Sequence, residues 1–363
     1  MTEDRFRTNN LDLLRLLAAF QVLLLHALEH LKVGVDPLAR AFLNFFPGVP
    51  IFFFISGFLI SRSYEMNPRL REYATNRCLR IFPGLWVCVV LTALVIAWTG
   101  YFDAHRVGFL ELMPWLLAQA TFVQFFNPEY LRDFGIGVAN GSLWTISVEL
   151  QFYLLMPLLA LGLKHLERYG RVGRWLLALS LLMLIVVNRA YVYSASQYSE
   201  HLVHKLLGVS FLPWLYMFVA GVLAQRNFAL LCSVLAGKFA WALSAYVLAM
   251  SLGLYFGVAA GNAIGPVLFA FLVALIFSAA YTRPSLGRSL LRGNDVSYGV
   301  YIYHMPIINI LVFYGYDGRF LPFVIAMIAT GILAFLSWVL VEKRALRAKK
   351  HPMNPVQAVG KAW

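Results

Sequence analysis

Apolar residues in this chain gather into runs of roughly twenty, separated by short polar stretches, and the first run sets the pattern. Residues 11–31 read LDLLRLLAAFQVLLLHALEHL, long enough as a helix to cross a hydrocarbon core of about 30 Å. Further runs are expected to span at about 42–60, 83–99, 143–163, 175–191, 206–224, 239–257, 263–282, 297–314 and 321–341. They predict an all-α, polytopic membrane bundle of about ten transmembrane helices. The run 112–126 is shorter and contains Pro114, Gln119 and Gln124, so it is marginal for crossing.

Two ionisable residues interrupt the first run. Arg15 and His26 lie eleven positions apart, about three turns, so they share a helical face and are offset by roughly 16 Å along the axis. An uncompensated ionisable group at membrane depth costs at least ~2.5 kcal/mol, so each needs a partner or a purpose. The plain alternative is that Arg15 snorkels to an interface and His26 packs between helices.

Composition excludes a soluble globular protein: 61% of residues are hydrophobic, 13% are charged and the mean hydropathy is +0.71. Residues 11–31 are too long for a typical signal-peptide core and lack a small-residue cleavage site, so this first span is expected to stay in the mature protein. The net charge of +13 then reports topology and contact with anionic membrane lipids rather than nucleic acid. If 112–126 stays on one side, twenty-two Lys and Arg fall on one face of the membrane and six on the other. If it crosses, the asymmetry vanishes. The positive-inside rule therefore predicts ten spans with both termini cytoplasmic, and 112–126 as a re-entrant or interfacial segment. The domains follow as a cytoplasmic tail at 1–10, one membrane domain at 11–341 and a basic cytoplasmic tail at 342–363. Cys78, Cys88 and Cys232 lack CxxC spacing and adjacent histidines, so neither a disulfide framework nor a metal site is expected.

That topology sorts the polar residues by depth. His26 and Glu149 fall at one level, where a carboxylate can fix the tautomer of an imidazole and make it a general base; Arg189 is the alternative partner for Glu149. Arg15, Arg77 and Arg80 fall near the cytoplasmic edge. Arg77 and Arg80 share a face at i, i+3, and guanidinium forks match phosphates, so the three form a candidate cradle for a phosphorylated cosubstrate. The bland reading of these cations is the ordinary cytoplasmic surplus. Ser56-Gly57 marks a close backbone approach, with packing the leading role. Tyr298, Tyr301 and His304 recur at i, i+3 on one face behind Ser297, as packing or as the lining of a site. Asn140-Gly141-Ser142 is formally a glycosylation sequon and is expected to cap the following helix.

Taken in order, Arg15 followed by ten residues and His26, FFFISGFLI at 52–60, Arg77-x-x-Arg80-Ile-Phe-Pro, GSLWTISVELQFYLLMP at 141–157 and SYGVYIYHMPI at 297–307 resemble the acyltransferase family 3 membrane proteins. The family O-acetylates bacterial surface and exported polysaccharides. The resemblance runs from the first span to the ninth tabulated above. It implies an acyl group, usually acetyl, taken from a cytoplasmic acyl-CoA and placed on a carbohydrate hydroxyl, with the acceptor free or lipid-linked, in the bacterial inner membrane. The family's arginine and histidine map onto Arg15 and His26, and its SxE element onto Ser147 and Glu149. Some members carry a fused hydrolase-like domain; this chain stops about twenty residues after its last span and is expected to act as a stand-alone transferase, closer to the exopolysaccharide-modifying members.

The resulting expectation places Arg15, Arg77 and Arg80 on the donor at the cytoplasmic mouth. His26 is the base, oriented by Glu149, with Ser56, Tyr298 and His304 lining the acyl arm's route and acetyl-CoA as donor substrate. A covalent acyl-histidine relay is the variant mechanism. The rivals are a transporter or flippase of a sugar-containing solute and a lipid-phosphate-sugar glycosyltransferase. The chain shows no pair of matching Gly/Pro-broken spans and no long outward acidic loop.

Overall fold

The computed structural model describes residues 6–258 and 260–348, and every regular element among them is helical. The bundle is built from α1 (Leu11–His30), α2 (Gly48–Met66), α3 (Leu70–Trp98), α4 (Phe109–Ala120), α5 (Trp144–Glu167), α6 (Gly170–Tyr198), α7 (Leu215–Arg226), α8 (Phe228–Leu235), α9 (Phe239–Tyr255), α10 (Pro266–Tyr281), α11 (Ser297–Phe313) and α12 (Phe320–Ser337).

Six helical stretches are long and apolar enough to cross a membrane, and α7 with α8, bent by 87° where they meet, would make a seventh. The chain is a multi-pass membrane protein. The expected count of about ten is not confirmed by length: α9, α10 and α11 are apolar but have 17, 16 and 17 residues, at the short end of the about 17–25 residues that a crossing takes. In α11 the reason is its place in the fold. Twelve of its residues are buried, so protein rather than lipid surrounds it, whereas α6 buries only Gly173 and Asn188 of its 29. Within 112–126 the chain forms the end of α4, a twelve-residue helix that contains Pro114 and is too short to cross. Arg5, Lys349, Lys350 and Lys361, and most of the basic tail expected at 342–363, lie outside the described residues.

Two contacts fix the frame around the site. Where α2 crosses α7, a Cβ on Gly57 would meet the Phe218 carbonyl oxygen at 2.0 Å, and one on Gly221 would meet the Phe54 carbonyl oxygen at 2.1 Å. Only glycine permits that approach, so the packing role expected of Gly57 is the one it holds. At the start of α1, Asn10 donates to the carbonyls of Ala279 (3.0 Å), Thr282 (3.2 Å) and Arg283 (3.2 Å) and accepts the amide of Gly287. One side chain thus satisfies the open end of α10 and anchors the entry to α1.

Candidate functional site

Arg15 lies one turn into α1 and Arg80 three turns into α3. Both reach the same acceptor, Asp295, in the short loop before α11. Arg15 Nη1 is 3.4 Å from Asp295 Oδ2, and Arg80 Nη2 donates to the same oxygen. Ser297, which opens α11, donates to Oδ1 at 2.5 Å. All three charged side chains are largely withdrawn from solvent, with 10–17% exposed. Burial disfavours ionisation of Asp295, but Arg80, Arg15 and the Ser297 hydroxyl outweigh it, and the carboxyl is held well below the usual carboxylate range. Arg77, one turn before Arg80, donates to Ser63 Oγ at 3.1 Å, and its guanidinium carbon lies 5.9 and 5.8 Å from the ring centres of Tyr73 and Tyr153.

Glu149, in the second turn of α5, accepts from Ser56 Oγ at 2.9 Å and from Tyr153 Oη at 2.7 Å. His26 makes a different bond. Its Nδ1 is 2.9 Å from Nε2 of His304, with the rings 5.2 Å apart and nearly parallel. Nδ1 of His304 lies 3.2 Å from the Val300 carbonyl oxygen, one turn back on α11. That carbonyl can only accept, so His304 carries its proton on Nδ1, which makes its Nε2 an acceptor and the Nδ1–H of His26 the donor. The second nitrogen of His26, Nε2, is then the unprotonated one. His304 is fully buried while His26 is half-buried, so the accessible ring is the one with the free lone pair.

Sequence places His304 where it is. Pro306 cannot donate to the Ile302 carbonyl, and that orphaned oxygen accepts from Asn140 Nδ2 at 2.8 Å and Cys88 Sγ at 3.2 Å. Ser142 donates to the Tyr301 carbonyl at 3.1 Å. One turn further, Asn309 donates to Val138 and Ala139 and accepts the amide of Ile136. The loop between α4 and α5 is thereby laced along α11 on either side of Pro306.

Two cavities meet at Arg15 and Glu149. One, of about 250 Å³, is lined by those residues with Asp12, Ser56, Arg77 and Arg80, and also by Tyr153 and Asp295. The second is only about 30 Å³, room for one or two waters. It runs from Arg15 and Glu149 past Phe52, Ser297 and Tyr298 to Thr145 and Tyr301. Tyr301 Oη is 2.6 Å from Thr145 Oγ1, and its ring packs edge-on to His304 at 5.9 Å. His26 itself lines neither cavity. The cavities reach as far as Tyr301, and from there ring contact with His304 and the His304–His26 bond lead on to α1.

The sequence family profile described as "Acyltransferase domain" matches residues 8–342, nearly the whole path just traced. The chain belongs to acyltransferase family 3. It is 32% identical to "Nodulation protein 10" of Rhizobium leguminosarum bv. viciae, over 94% of each chain. It is 26% identical to "O-acetyl transferase" of Shigella phage Sf6, over 94% of this chain and 96% of that one. A shorter match, 27% identity over 40% of this chain and 25% of the other, joins it to "Peptidoglycan O-acetyltransferase OatA" of Listeria monocytogenes. No solved structure matches.

In this acyltransferase the expected residues meet, though not in the expected pairs. Glu149 does not orient His26, because Ser56 and Tyr153 hold it near the arginines. Nor does it bind Arg189, which is spent on Asn188 and the carbonyls of Ala263 and Ile264. Ser147 of the SxE element turns away to Gln124. Arg15 and Arg80 are not an open phosphate cradle, since Asp295 occupies both. Tyr298 lines the narrow cavity and donates to the Ile81 carbonyl at 2.9 Å. His304 instead contacts His26 directly. Asn140 does not cap the following helix; its amide goes to Ile302. Asp12 and Asp295 escaped the sequence reading, although two arginines at membrane depth demand a carboxylate and Asp295 stands just before a span. Among the described residues no group of three or more His, Cys, Asp or Glu is arranged to hold a metal.

Proposed function

We propose that this acyltransferase takes an acyl group, acetyl in the first instance, from cytoplasmic acyl-CoA and places it on a hydroxyl of an exported or surface carbohydrate, free or lipid-linked. It works in the bacterial inner membrane with ten crossing segments and both termini cytoplasmic. The observation that carries this reading is the His26–His304 pair, which leaves Nε2 of the partly exposed His26 ring unprotonated and free to act as a base.

The chemistry balances on these groups. The acceptor hydroxyl gives its proton to His26 Nε2 as its oxygen attacks the thioester carbonyl. The carbon–sulfur bond then breaks, and the CoA thiolate takes the proton back from His26. Through this cycle His304 Nε2 keeps accepting from His26 Nδ1, which holds the ring in one tautomer and lends it electron density as it charges. The Arg15–Asp295–Arg80 cluster and Glu149 border the route of the acyl arm. The cavity lined by Tyr301 holds only about 30 Å³, so in this reading the side chains around it rearrange to admit the arm.

The test is transfer of label from radiolabelled acetyl-CoA to carbohydrate in membranes holding wild type or His26→Ala at equal levels. Wild type should transfer label and the variant should not. Undiminished transfer by the variant would remove His26 from the reaction. Trapping labelled protein by rapid quench without acceptor would replace the single step with an acyl-histidine relay.

A further inference from the structure

Beyond His26, the end of α1 is cross-linked to its surroundings. Lys32 Nζ lies 2.6 Å from Asp317 Oδ2 in the loop between α11 and α12, and Gly318 of that loop donates its amide to the Leu31 carbonyl at 2.8 Å. Glu29 pairs with Arg40 at 3.4 Å, and Nδ1 of His26 goes to His304. Four polar side chains stand between 26 and 32, and three of them are therefore taken. The fourth is His30. Its ring is half-buried, yet among the described residues neither of its nitrogens makes a hydrogen bond.

His30 follows His26 by four residues, so the two share a helical face, and because side chains on a helix tilt toward its N-terminus His30 leans back over His26. The ring centres are 5.7 Å apart and the planes inclined at 45°. The rings do not bond each other. Two hydroxyls on neighbouring carbons of a sugar span such a gap, each reaching its own imidazole over about 2.8 Å. The chemistry also matches, since a neutral imidazole offers one donor and one acceptor nitrogen and a hydroxyl is both. A ring already partly withdrawn from water loses little further hydration when it takes a ligand.

We infer that His30 is a positioning residue for the acceptor: it binds one hydroxyl of the incoming sugar and so brings the hydroxyl on the adjacent carbon to Nε2 of His26, which takes the proton in the step described above. The inference rests on the acyl-transfer reading and deepens it, by making the acceptor a vicinal diol and this end of α1 the place where it enters. In the topology proposed above, that is the extracytoplasmic end of the helix, opposite the arginines. Donor and acceptor then approach His26 from opposite sides of the membrane.

Two measurements test it. The first takes initial rates of label transfer from radiolabelled acetyl-CoA to surface polysaccharide of the producing cells, freed of acyl groups by mild base, in membranes carrying wild type, His30→Ala or His30→Gln. His30→Ala should raise KM for the polysaccharide by about three- to tenfold, the size of one lost hydrogen bond, with KM for acetyl-CoA unchanged. Gln, whose amide also donates and accepts, should recover most of that loss. The second maps carbethoxylation of the purified protein by diethyl pyrocarbonate, read by mass spectrometry. His30 should be modified in the free protein and protected by the polysaccharide, but not by acetyl-CoA alone nor by polysaccharide whose vicinal diols periodate has cleaved. An unchanged KM for polysaccharide in His30→Ala, or both KM values rising together, would overturn the inference, as would equal modification of His30 with and without intact polysaccharide. Protection by intact polysaccharide in a protein that transfers no label from acetyl-CoA would uphold the acceptor site and overturn the donor reading instead.

Discussion

The bond between His26 and His304 makes a prediction whose size follows from geometry. His304 is fully buried, and its Nε2 is the hydrogen-bond partner that His26 Nδ1 finds, at 2.9 Å. Replacing it with Phe keeps an aromatic ring against Tyr301 but removes the acceptor, whereas Gln restores one at its amide oxygen. In the Phe variant the buried N–H of His26 loses its partner, which costs about 1–3 kcal/mol, and the ring is free to adopt the wrong tautomer. Removing such an orienting partner typically lowers activity by about 10–100-fold, or about 1.4–2.7 kcal/mol in the barrier. Initial rates of label transfer, taken in membranes at matched protein levels, should fall by that factor for His304→Phe and recover most of it for His304→Gln. The reasoning is refuted if the Phe variant turns over at the wild-type rate, or if Gln is as impaired as Phe while both retain the wild-type melting temperature.

Arg15→Lys should lose most activity, because a point charge cannot replace the fork that shares Asp295 with Arg80; activity equal to wild type in the same assay would reduce Arg15 to a snorkelling residue. Asp295→Asn should leave two arginines facing each other at a loss of about 3 kcal/mol, the lower end for breaking a buried pair since these groups keep some solvent contact, read as a lower melting temperature in detergent. The sign of its pH dependence is fixed: the folded carboxyl has a depressed pKa, so its stabilisation is complete above about pH 4 and lost only as pH falls further. The difference in melting temperature between wild type and Asp295→Asn should therefore stay constant from about pH 5 to 9, and a difference that shrinks on acidification within that window would contradict the pairing. Gly57→Ala must push α2 off the Phe218 carbonyl and should cost about 1–3 kcal/mol, seen as reduced recovery of folded protein in membranes. A topology reporter inserted after Phe126 should read extracytoplasmic, and a cytoplasmic signal would require α4 to cross.

The helical bundle was legible because hydrophobic runs of fixed length leave few alternatives, and Arg15 and His26 stood out because they interrupt one. The pairings were not. Depth along a helix puts His26 level with Glu149, but depth says nothing of azimuth, and the bundle turns Glu149 toward Ser56 and Tyr153 while α11 carries His304 to His26. His304 was visible as part of a stripe with Tyr298 and Tyr301; its bond to α1 is a long-range contact without a local signature. Asp295 was missed for a related reason. It sits in a polar loop where an acid attracts no notice, and its importance appears only when residues 280 positions apart are brought together. Apolarity marks α9, α10 and α11 as spans, but their length of 16 or 17 residues has no signature in the sequence, and neither does the packing that surrounds α11 with protein.

The salt link between the first helix and the loop before α11 also bears on how the protein is made. Arg15 emerges from the ribosome 280 residues ahead of Asp295, which at 5–20 residues per second is a delay of roughly 14–56 s. Throughout that interval a guanidinium is carried in a hydrophobic segment whose counter-charge has yet to be synthesised, at an insertion cost of about 3 kcal/mol. Nascent chains cut short before Asp295 should therefore hold their first helix loosely and be cleared by membrane quality control, and completion of the last fifth should be what locks the first helix in place.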